Sequence, residues 1–406
     1  MDSSNGNLAQ VVQLIWTEGE ISRAQVARRL DLSRSTVSAL VQQLIDQGSV
    51  IEARVGRSSG GRPPVMLRFA HQRYHLVGLD IGMTHVAVLL MDARGAVLAR
   101  GSRRHATPHD PEGTLDVAHA MLEEVLTIAP EGSTLLGIGV AAPCPVHPSR
   151  PGGFSPSILP AWKDVDVAAA LSARHGAPVY VENDANLGAL GELVWGQGRD
   201  VSDFVYVKLA TGVGAGLIVR GEVYRGSDGI AGEIGHTSID ISGPPCGCGL
   251  HGCLVTLIGS EALEGAYERL QPGTNAHLGE IAEAAAQGET EAVEVVEAAA
   301  RSLGVGLANL LNLVNPARIV LGGRLTLAGD ALVQPLQQAI AGRALWTNVD
   351  AADIVISDIG DDVIPMGAAT LVLRTALADP RRLATGLPTV LPHRPVAAAA
   401  GPHPTP

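Results

Sequence analysis

The chain has 406 residues, of which 46% are hydrophobic and 17% are charged. This length predicts two or three domains, and the composition supplies enough apolar side chains for a sizeable core while excluding general disorder. No apolar run of about 18 or more residues occurs, which excludes a membrane span. Residues 1–10 also lack the pattern of a secretory signal, so we expect a cytoplasmic protein.

Charge is distributed unevenly along the chain. Residues 1–75 contain nine arginines and six acidic residues, a net charge of +3. The remainder contains 20 basic and 35 acidic residues, a net charge of −15. A basic segment joined to an acidic one is typical of a nucleic-acid-binding module attached to a body that repels nucleic acid.

The first 48 residues predict three short helices. Apolar residues recur at helical spacing over 8–16, Ser22 can cap a second helix, and Ser33 can cap a third that ends at Gly48. Two short helices joined by a tight turn indicate a helix-turn-helix, whose second helix enters the major groove of DNA. The residues predicted to read base edges lie in the first turns of the third helix: Arg34, Ser35, Thr36 and Ser38. The alternative is a small helical docking domain.

Two strand-like runs, 50–54 and 65–69, follow the third helix and flank a loop rich in glycine, serine and arginine. This arrangement predicts the wing of a winged helix. Its Gly-Arg-Pro at 61–63 suits a narrow A·T minor groove, and Arg57 and Arg62 are the predicted wing contacts with a double-stranded DNA operator. A plain interdomain linker is the alternative.

The acidic body alternates strands and helices, which predicts an α/β fold with a mixed sheet. The strand-like runs are 75–82, 86–92, 96–100, 135–140, 179–184, 203–209, 217–219 and 319–323. A glycine-rich loop is predicted over 210–216 and helices over 112–128 and 298–314. The apolar stripe of the second helix is expected in the core, with a dimer surface as the alternative.

Two motifs of this body resemble the ROK family of repressors and sugar kinases, part of the sugar-kinase, actin and chaperone ATPase superfamily. The first runs from Leu209 to His236, with glycines at 212, 214, 216, 226, 232 and 235. The second is Cys246-x-Cys248-Gly-x-x-Gly-Cys253. The resemblance covers about residues 8–380 and implies an actin-like (ribonuclease H-like) body of two lobes. Kinases of this family normally lack a helix-turn-helix, so the chain resembles its transcriptional regulators.

A metal site is predicted in the second motif. His236, Cys246, Cys248 and Cys253 offer one imidazole and three thiolates, a set that suits tetrahedral Zn²⁺ with no open position. The resemblance implies one structural zinc ion per chain at these residues. Three buried thiols in a glycine-rich loop are the alternative, and Cys144 is expected to be a small buried residue.

The resemblance also implies a ligand cleft. Asp184 occupies the position of the catalytic base in the family's kinases, and Asn183, Glu233 and His236 match further sugar contacts. We therefore expect these four residues to bind a small, sugar-like effector, with Asp184 as a vestigial base.

Several positions depart from the kinase pattern. Met83 and His85 replace a glycine and a lysine of the first phosphate loop, and Ala210 replaces a glycine of the second. Ile158 and Val255 replace polar sugar contacts. Each lost buried hydrogen bond costs roughly 1–3 kcal/mol, so hexose binding should weaken and efficient phosphoryl transfer is not expected.

These features predict four segments. They are a winged helix-turn-helix (1–72), a small α/β lobe (73–182 plus 362–380), a large lobe with the zinc loop and a dimerisation surface (183–361), and a disordered, proline-rich tail (381–406). We expect a sequence-specific regulator that represses carbohydrate-related genes as a dimer or dimer of dimers, and in which cleft closure moves the zinc loop and the dimer interface. The alternatives are an ATP-dependent sugar kinase with a DNA-binding module and a constitutive DNA-binding protein with an inactive sensor.

Overall fold

The computed structural model describes residues 3–55, 63–147, 152–344 and 353–385. The tip of the predicted wing, with Arg57 and Arg62, lies outside the described residues, and so does the predicted tail from 386 onwards.

The N-terminal segment, here called the head, forms three helices and a small sheet in the order β1-β3-β2. Its elements are α1 (Ser3–Glu18), β1 (Ile21–Ser22), α2 (Arg23–Leu30), α3 (Arg34–Asp46), β2 (Val50–Val55) and β3 (Val65–Phe69). Ser22 caps α2 in a capping box with Gln25, and Ser33 accepts a hydrogen bond from the Thr36 amide at the start of α3. Asp31 takes the left-handed conformation in the turn between the two helices. The predicted winged helix-turn-helix is therefore confirmed.

The first half of the body is built on a five-stranded sheet in the order β6-β5-β4-β7-β8. Its elements are β4 (Tyr74–Ile81), β5 (His85–Asp92), β6 (Val97–Arg104), α4 (Pro111–Leu126), β7 (Thr134–Ala142), α5 (Val167–His175) and β8 (Val179–Asn183). The central strand β4 is buried along its whole length. It runs antiparallel to β5 and parallel to β7. The carboxyl ends of β4, β7 and β8 therefore meet at one edge, where α/β sheets bind ligands.

A second five-stranded sheet has the order β11-β10-β9-β12-β13. Its strands are β9 (Phe204–Leu209), β10 (Val213–Val219), β11 (Glu222–Tyr224), β12 (Arg318–Gly322) and β13 (Asp353–Ile356). The remaining helices are α6 (Asp184–Trp195), α7 (Val255–Ile258), α8 (Ser260–Leu270), α9 (Leu278–Ala286), α10 (Thr290–Val314), α11 (Asp330–Ala341), α12 (Val363–Ala378) and α13 (Arg381–Thr385). This two-sheet body is the mixed α/β architecture that the resemblance implied.

Helices α6 and α12 pack against each other, with α12 on the first sheet and α6 on the second. Both contacts of α12 are close: a Cβ on Gly367 of α12 would lie 1.8 Å from the Leu187 carbonyl oxygen of α6, and one on Gly78 of β4 would lie 1.8 Å from the Pro365 carbonyl oxygen of α12. Only glycine allows the backbones to approach this closely. Helix α6 therefore lies between α12 and the second sheet.

The predicted loop over 210–216 is wrong in its second half, because strand β10 begins at Val213. A Cβ on Gly216 would lie 2.2 Å from the Ala185 carbonyl oxygen and 2.7 Å from the Ala189 Cβ. The glycine is therefore part of a strand against which α6 packs, rather than part of a flexible loop.

Two further segments differ from the prediction. The disordered tail was predicted from residue 381, yet 381–385 form α13. In this helix Leu383 is 1% exposed, and its carbonyl accepts a hydrogen bond from the Tyr74 hydroxyl at 3.0 Å.

Helix α10 begins eight residues before the predicted helix of 298–314. Four members of its apolar stripe are buried in the core as expected: Leu303, Leu307, Leu310 and Leu311.

Across the described ranges, none of the helices is both long enough and apolar enough to cross a membrane.

Candidate DNA-binding face, metal cluster and ligand cleft

The start of α3 presents polar side chains to solvent. Arg34, Ser35 and Ser38 are exposed and Thr36 is half-buried. The Ser33 hydroxyl lies 2.9 Å from that of Ser35 and 2.7 Å from that of Thr36, so these two hydroxyls also belong to the helix cap. The cap holds the first turn rigid and leaves the guanidinium of Arg34 and the hydroxyl of Ser38 outside its hydrogen-bond network.

Three arginines of the head form ion pairs within the head itself. The pairs are Arg23 with Glu52 at 2.9 Å, Arg29 with Glu18 at 3.1 Å, and Arg54 with Glu20 at 2.7 Å. Exposed pairs of this kind contribute only about 0.2–1 kcal/mol each to stability. Each pair neutralises an arginine, so these three contribute less positive charge for binding a phosphate backbone than the number of arginines in the sequence suggests.

One histidine and three cysteines converge in the segment that follows β11. The ligand atoms of His236, Cys246, Cys248 and Cys253 all lie within 4.8 Å of one another. His236 Nδ1 is 3.5 Å from Cys246 Sγ, and Cys248 Sγ is 3.6 Å from Cys253 Sγ, which is too far for a disulfide bond. This set of donor atoms could hold a metal ion.

The backbone of this segment brings the sulfur atoms together. The amide of Cys246 donates to the carbonyl of Leu250 at 2.8 Å, which closes a tight turn. Gly252 lies at φ +59°, where a Cβ would be 1.6 Å from the Asp240 carbonyl oxygen, so the turn requires glycine there.

The thiols of Cys248 and Cys253 differ in pKa. A hydrogen bond from the Leu250 backbone is the main cause that lowers the pKa of Cys248 to about 7, whereas burial raises the pKa of Cys253 to about 12. A cation among the sulfur atoms would favour the thiolate form of each.

Asp184 is the first residue of α6 and follows β8 directly. Its Oδ2 accepts a hydrogen bond from the Lys208 ammonium, and its Oδ1 accepts one from the side-chain Nδ2 of Asn183 at 3.4 Å. The ion pair is largely buried, with the Asp184 and Lys208 side chains 9% and 14% exposed. Asn183 also caps α6.

Lys208 was not among the predicted site residues. It lies in β9, where each of the other residues is buried. The sequence signal for it is a lysine within the apolar run Val205–Leu209, because a buried ammonium needs a partner.

Glu233 lies near Asp184. Burial, and then the negative charge of Asp184, raise the pKa of the Glu233 carboxyl above its ordinary value. Asn183, Asp184 and Glu233 are thus in one neighbourhood, whereas the Nδ1 of His236 faces the cysteines. Cys144 is 3% exposed, as predicted for a small buried residue.

The segment that matches the first phosphate loop is closed by its own histidine. His85 Nε2 lies 3.2 Å from Asp80 Oδ2, and a Cβ on Gly82 would meet the His85 ring at 2.4 Å. Met83 packs against the apolar core of the first sheet. The imidazole therefore fills space next to the backbone that a phosphate would need to approach.

Helix α1 makes one of the contacts between the head and the body, which also share an apolar core. The indole nitrogen of Trp16 donates to the Ala93 carbonyl at 2.8 Å, and its ring meets that of Trp195 edge-on, with centroids 6.1 Å apart. Trp195 is the last residue of α6, and its indole nitrogen donates to the Thr370 hydroxyl at 2.6 Å. A single helix, α6, therefore begins at Asp184 and ends at a contact with the helix-turn-helix head.

Known protein families match both the head and the body of the chain. A winged helix-turn-helix DNA-binding model matches residues 7–50, and a ROK family model matches residues 76–375. The chain is 29% identical over 375 residues to the xylose repressor of Bacillus subtilis strain 168, covering 90% of this chain and 94% of that protein. It is 31% identical over 385 residues to the DNA-binding transcriptional dual regulator NagC of Escherichia coli strain K12, covering 91% and 93%.

Two solved structures resemble the fold. A ROK family transcriptional regulator, homologous to the Escherichia coli MLC protein, superimposes with a TM-score of 0.81 at 27% identity, covering 94% of this chain and 99% of that one. A ROK family glucokinase from Streptomyces griseus, in complex with glucose and AMPPNP, gives a TM-score of 0.64 at 29% identity. The match covers 73% of this chain and 98% of the glucokinase chain.

A winged helix-turn-helix joined to a two-sheet, kinase-like body defines a DNA-binding transcriptional regulator. The chain belongs to the ROK family.

Proposed function

We propose that the protein represses carbohydrate-related genes and that a sugar bound between the two sheets changes its affinity for DNA. One observation carries the proposal: α6 begins at Asp184 in the cleft and ends at Trp195, in contact with Trp16 of the head. The names of two relatives, the xylose repressor of Bacillus subtilis and an N-acetylglucosamine repressor of Escherichia coli O6:H1 that is 31% identical over 385 residues, support repression and a sugar effector.

In the proposed mechanism, α6 is a rigid link between sensor and reader. Its 12 residues span about 18 Å, since an α-helix rises 1.5 Å per residue. A sugar that hydrogen-bonds with Asn183, Asp184 and Glu233 draws the two sheets together and shifts α6. The displacement reaches the head through Trp195. A ligand shifts this equilibrium only by its difference in affinity for the two states. His236 would join the sugar contacts and relay the same closure to the metal cluster.

On DNA, Arg34, Ser35, Thr36 and Ser38 would contact base edges in the major groove, and the wing residues Arg57 and Arg62 would anchor the flanking minor groove. A homodimer, or a dimer of dimers, would present two heads to half-sites about 34–36 Å apart. A shift of a few Å between the heads then prevents both from binding at once.

The cysteine cluster would hold one structural zinc ion per chain. With bond lengths of about 2.3 Å to sulfur and about 2.0–2.1 Å to nitrogen, tetrahedral zinc places two sulfur ligands about 3.8 Å apart and a sulfur and a nitrogen ligand about 3.6 Å apart. The separations of 3.6 Å for Cys248 and Cys253 and 3.5 Å for Cys246 and His236 fit these values. Four protein ligands leave no open position for catalysis.

A sugar kinase with a DNA-binding module is the second candidate, and the retained Asp184 is the observation that favours it. It ranks second because Asp184 is paired with Lys208 and the first phosphate loop is filled by His85. The Lys208 ammonium already occupies Asp184 Oδ2, so this oxygen is not free to accept the proton of a sugar hydroxyl.

The proposal is tested by measuring thermal stability with D-xylose, N-acetylglucosamine and D-glucose, and then operator affinity with the sugar that stabilises. The operator is first identified by sequencing genomic DNA that the purified protein retains. Asp184→Ala should keep sugar-free DNA affinity near that of the wild type and lose most of the response to sugar. Asp164→Ala is the matched control, because that carboxylate is 86% exposed. A normal sugar response in Asp184→Ala would contradict the assignment of the sensor.

A further inference from the structure

Lys208 is one of only two lysines in the chain, and it lies in a buried strand. The other, Lys163, is 69% exposed at its side chain. Removing an ammonium group from water is unfavourable unless a negative charge compensates for it. The burial of Lys208 therefore requires negatively charged groups close to its ammonium group.

Two buried carboxylates bear on this ammonium, one at the start of α6 and one near the end of β4 in the first sheet. Asp184 follows β8 and contacts the Lys208 Nζ directly. Asp80 lies near the carboxyl end of β4, is 4% exposed, and accepts a hydrogen bond from His85 through Oδ2. Its other oxygen, Oδ1, is buried and has no hydrogen-bond partner among the described residues.

The charge of Asp80 also acts on Lys208. Burial lowers the pKa of the lysine, but the negative charges of Asp184 and then Asp80 more than compensate, so that the pKa lies above its ordinary value. The ammonium is thus held charged by both carboxylates rather than by Asp184 alone.

We propose that the Lys208 ammonium is the resident cation of this cleft: paired with Asp184, it supplies the positive charge for Asp184 and the neighbouring, buried Asp80 that a divalent metal ion would otherwise supply. Two carboxylates in a cleft are the oxygen donors that Mg²⁺ and Mn²⁺ prefer. A tethered ammonium at the same place repels a second cation. It thereby excludes a metal–nucleotide complex from the cleft, whereas a neutral polyhydroxyl ligand meets no such repulsion.

This role sets the chain apart from family members that bind a nucleotide, such as the glucokinase solved with glucose and AMPPNP. The two chains share the fold, and in this chain Lys208 supplies the positive charge beside Asp184. The inference does not depend on which sugar binds, so its test separates from that of the proposed function.

The test is Mn²⁺ binding by the full chain, measured by the electron paramagnetic resonance of free Mn²⁺ and by thermal shift. Lys208→Met should bind one additional Mn²⁺ per chain, at least about tenfold more tightly than the wild type, because two buried carboxylates lose their counter-charge. Lys163→Met is the matched control and should behave as the wild type. All three proteins carry the same cysteine cluster, so any binding there cancels in the comparison.

A second change separates a metal site from general loosening of the structure. Adding Asp184→Asn to Lys208→Met should abolish the gained Mn²⁺ binding, since one of the two carboxylates is then neutral. Should Lys208→Met fail to fold, Lys208→Gln provides the same comparison with a side chain that can still donate to Asp184. Equal Mn²⁺ affinity in the wild type and the folded Lys208 variant, or gained binding that persists with Asp184→Asn, overturns the proposal.

Discussion

Replacing Trp16 by alanine should uncouple the DNA-binding head from the cleft. The change removes the hydrogen bond to the Ala93 carbonyl, made at 2.8 Å, and the edge-on contact with Trp195. A net hydrogen bond contributes about 0.5–1.5 kcal/mol and an aromatic pair about 0.5–1.5 kcal/mol beyond its buried area. Together these terms give about 1–3 kcal/mol for the Trp16 contact, a factor of about 5–150 in an equilibrium that it biases, in addition to the apolar core that the head shares with β4 and α12.

This range matches the whole coupling free energy of a typical allosteric pair of sites. Trp16→Ala should therefore lose most of the difference between operator affinities measured with and without sugar. Fluorescence anisotropy with a labelled operator measures that difference directly. Trp16→Phe retains a ring near Trp195 but not the hydrogen bond to Ala93, so its response should lie between those of the wild type and Trp16→Ala.

A double-mutant cycle with Trp195→Ala localises the effect. If the two rings act through each other, the double variant should respond no worse than either single variant. Ile128→Ala is the control, because this side chain is 56% exposed on the first half of the body. A sugar response of wild-type size in both Trp16→Ala and Trp195→Ala would refute the idea that α6 carries the signal.

Three further outcomes are expected. Metal analysis of protein purified without chelator should give about one zinc per chain, and Cys248→Ser should lose it and destabilise the surrounding loop; metal-free wild type would contradict this. Arg34→Ala should weaken operator binding at the contacted bases and Arg62→Ala at A·T-rich flanks in gel-shift assays; unchanged affinity in both would rule out the assigned reading surface. With glucose and Mg²⁺–ATP, phosphorylation should stay far below the roughly 1–100 per second of kinases; turnover in that range would place the enzyme hypothesis first.

Features that depend on neighbouring residues could be predicted from the sequence. Ser22 and Ser33 cap helices within three residues of themselves, and the apolar residues that follow repeat at helical spacing. The histidine and cysteines of the metal cluster likewise lie within one short stretch, 236–253. Local hydrogen bonds and turn geometry decide such features, so the helix-turn-helix and the convergence of the four metal donors followed from the order of residues.

Other features were decided by contacts between distant segments. Gly214 and Gly216 suggest a loop by local preference, yet they belong to β10 because α6 packs on that strand. Residues 381–385 precede a proline-rich stretch, yet they form α13, where Leu383 is buried.

The pair of Lys208 with Asp184 and the contact of Trp16 with Trp195 join elements that meet only when the two sheets and the head assemble. Sequence order determined which chemical groups the chain carries and which local elements they occupy. Tertiary packing decided which of those groups neutralise one another in the cleft and which helix connects the cleft to the DNA-binding head, because burial and charge compensation arise only between surfaces that the folded chain brings into contact.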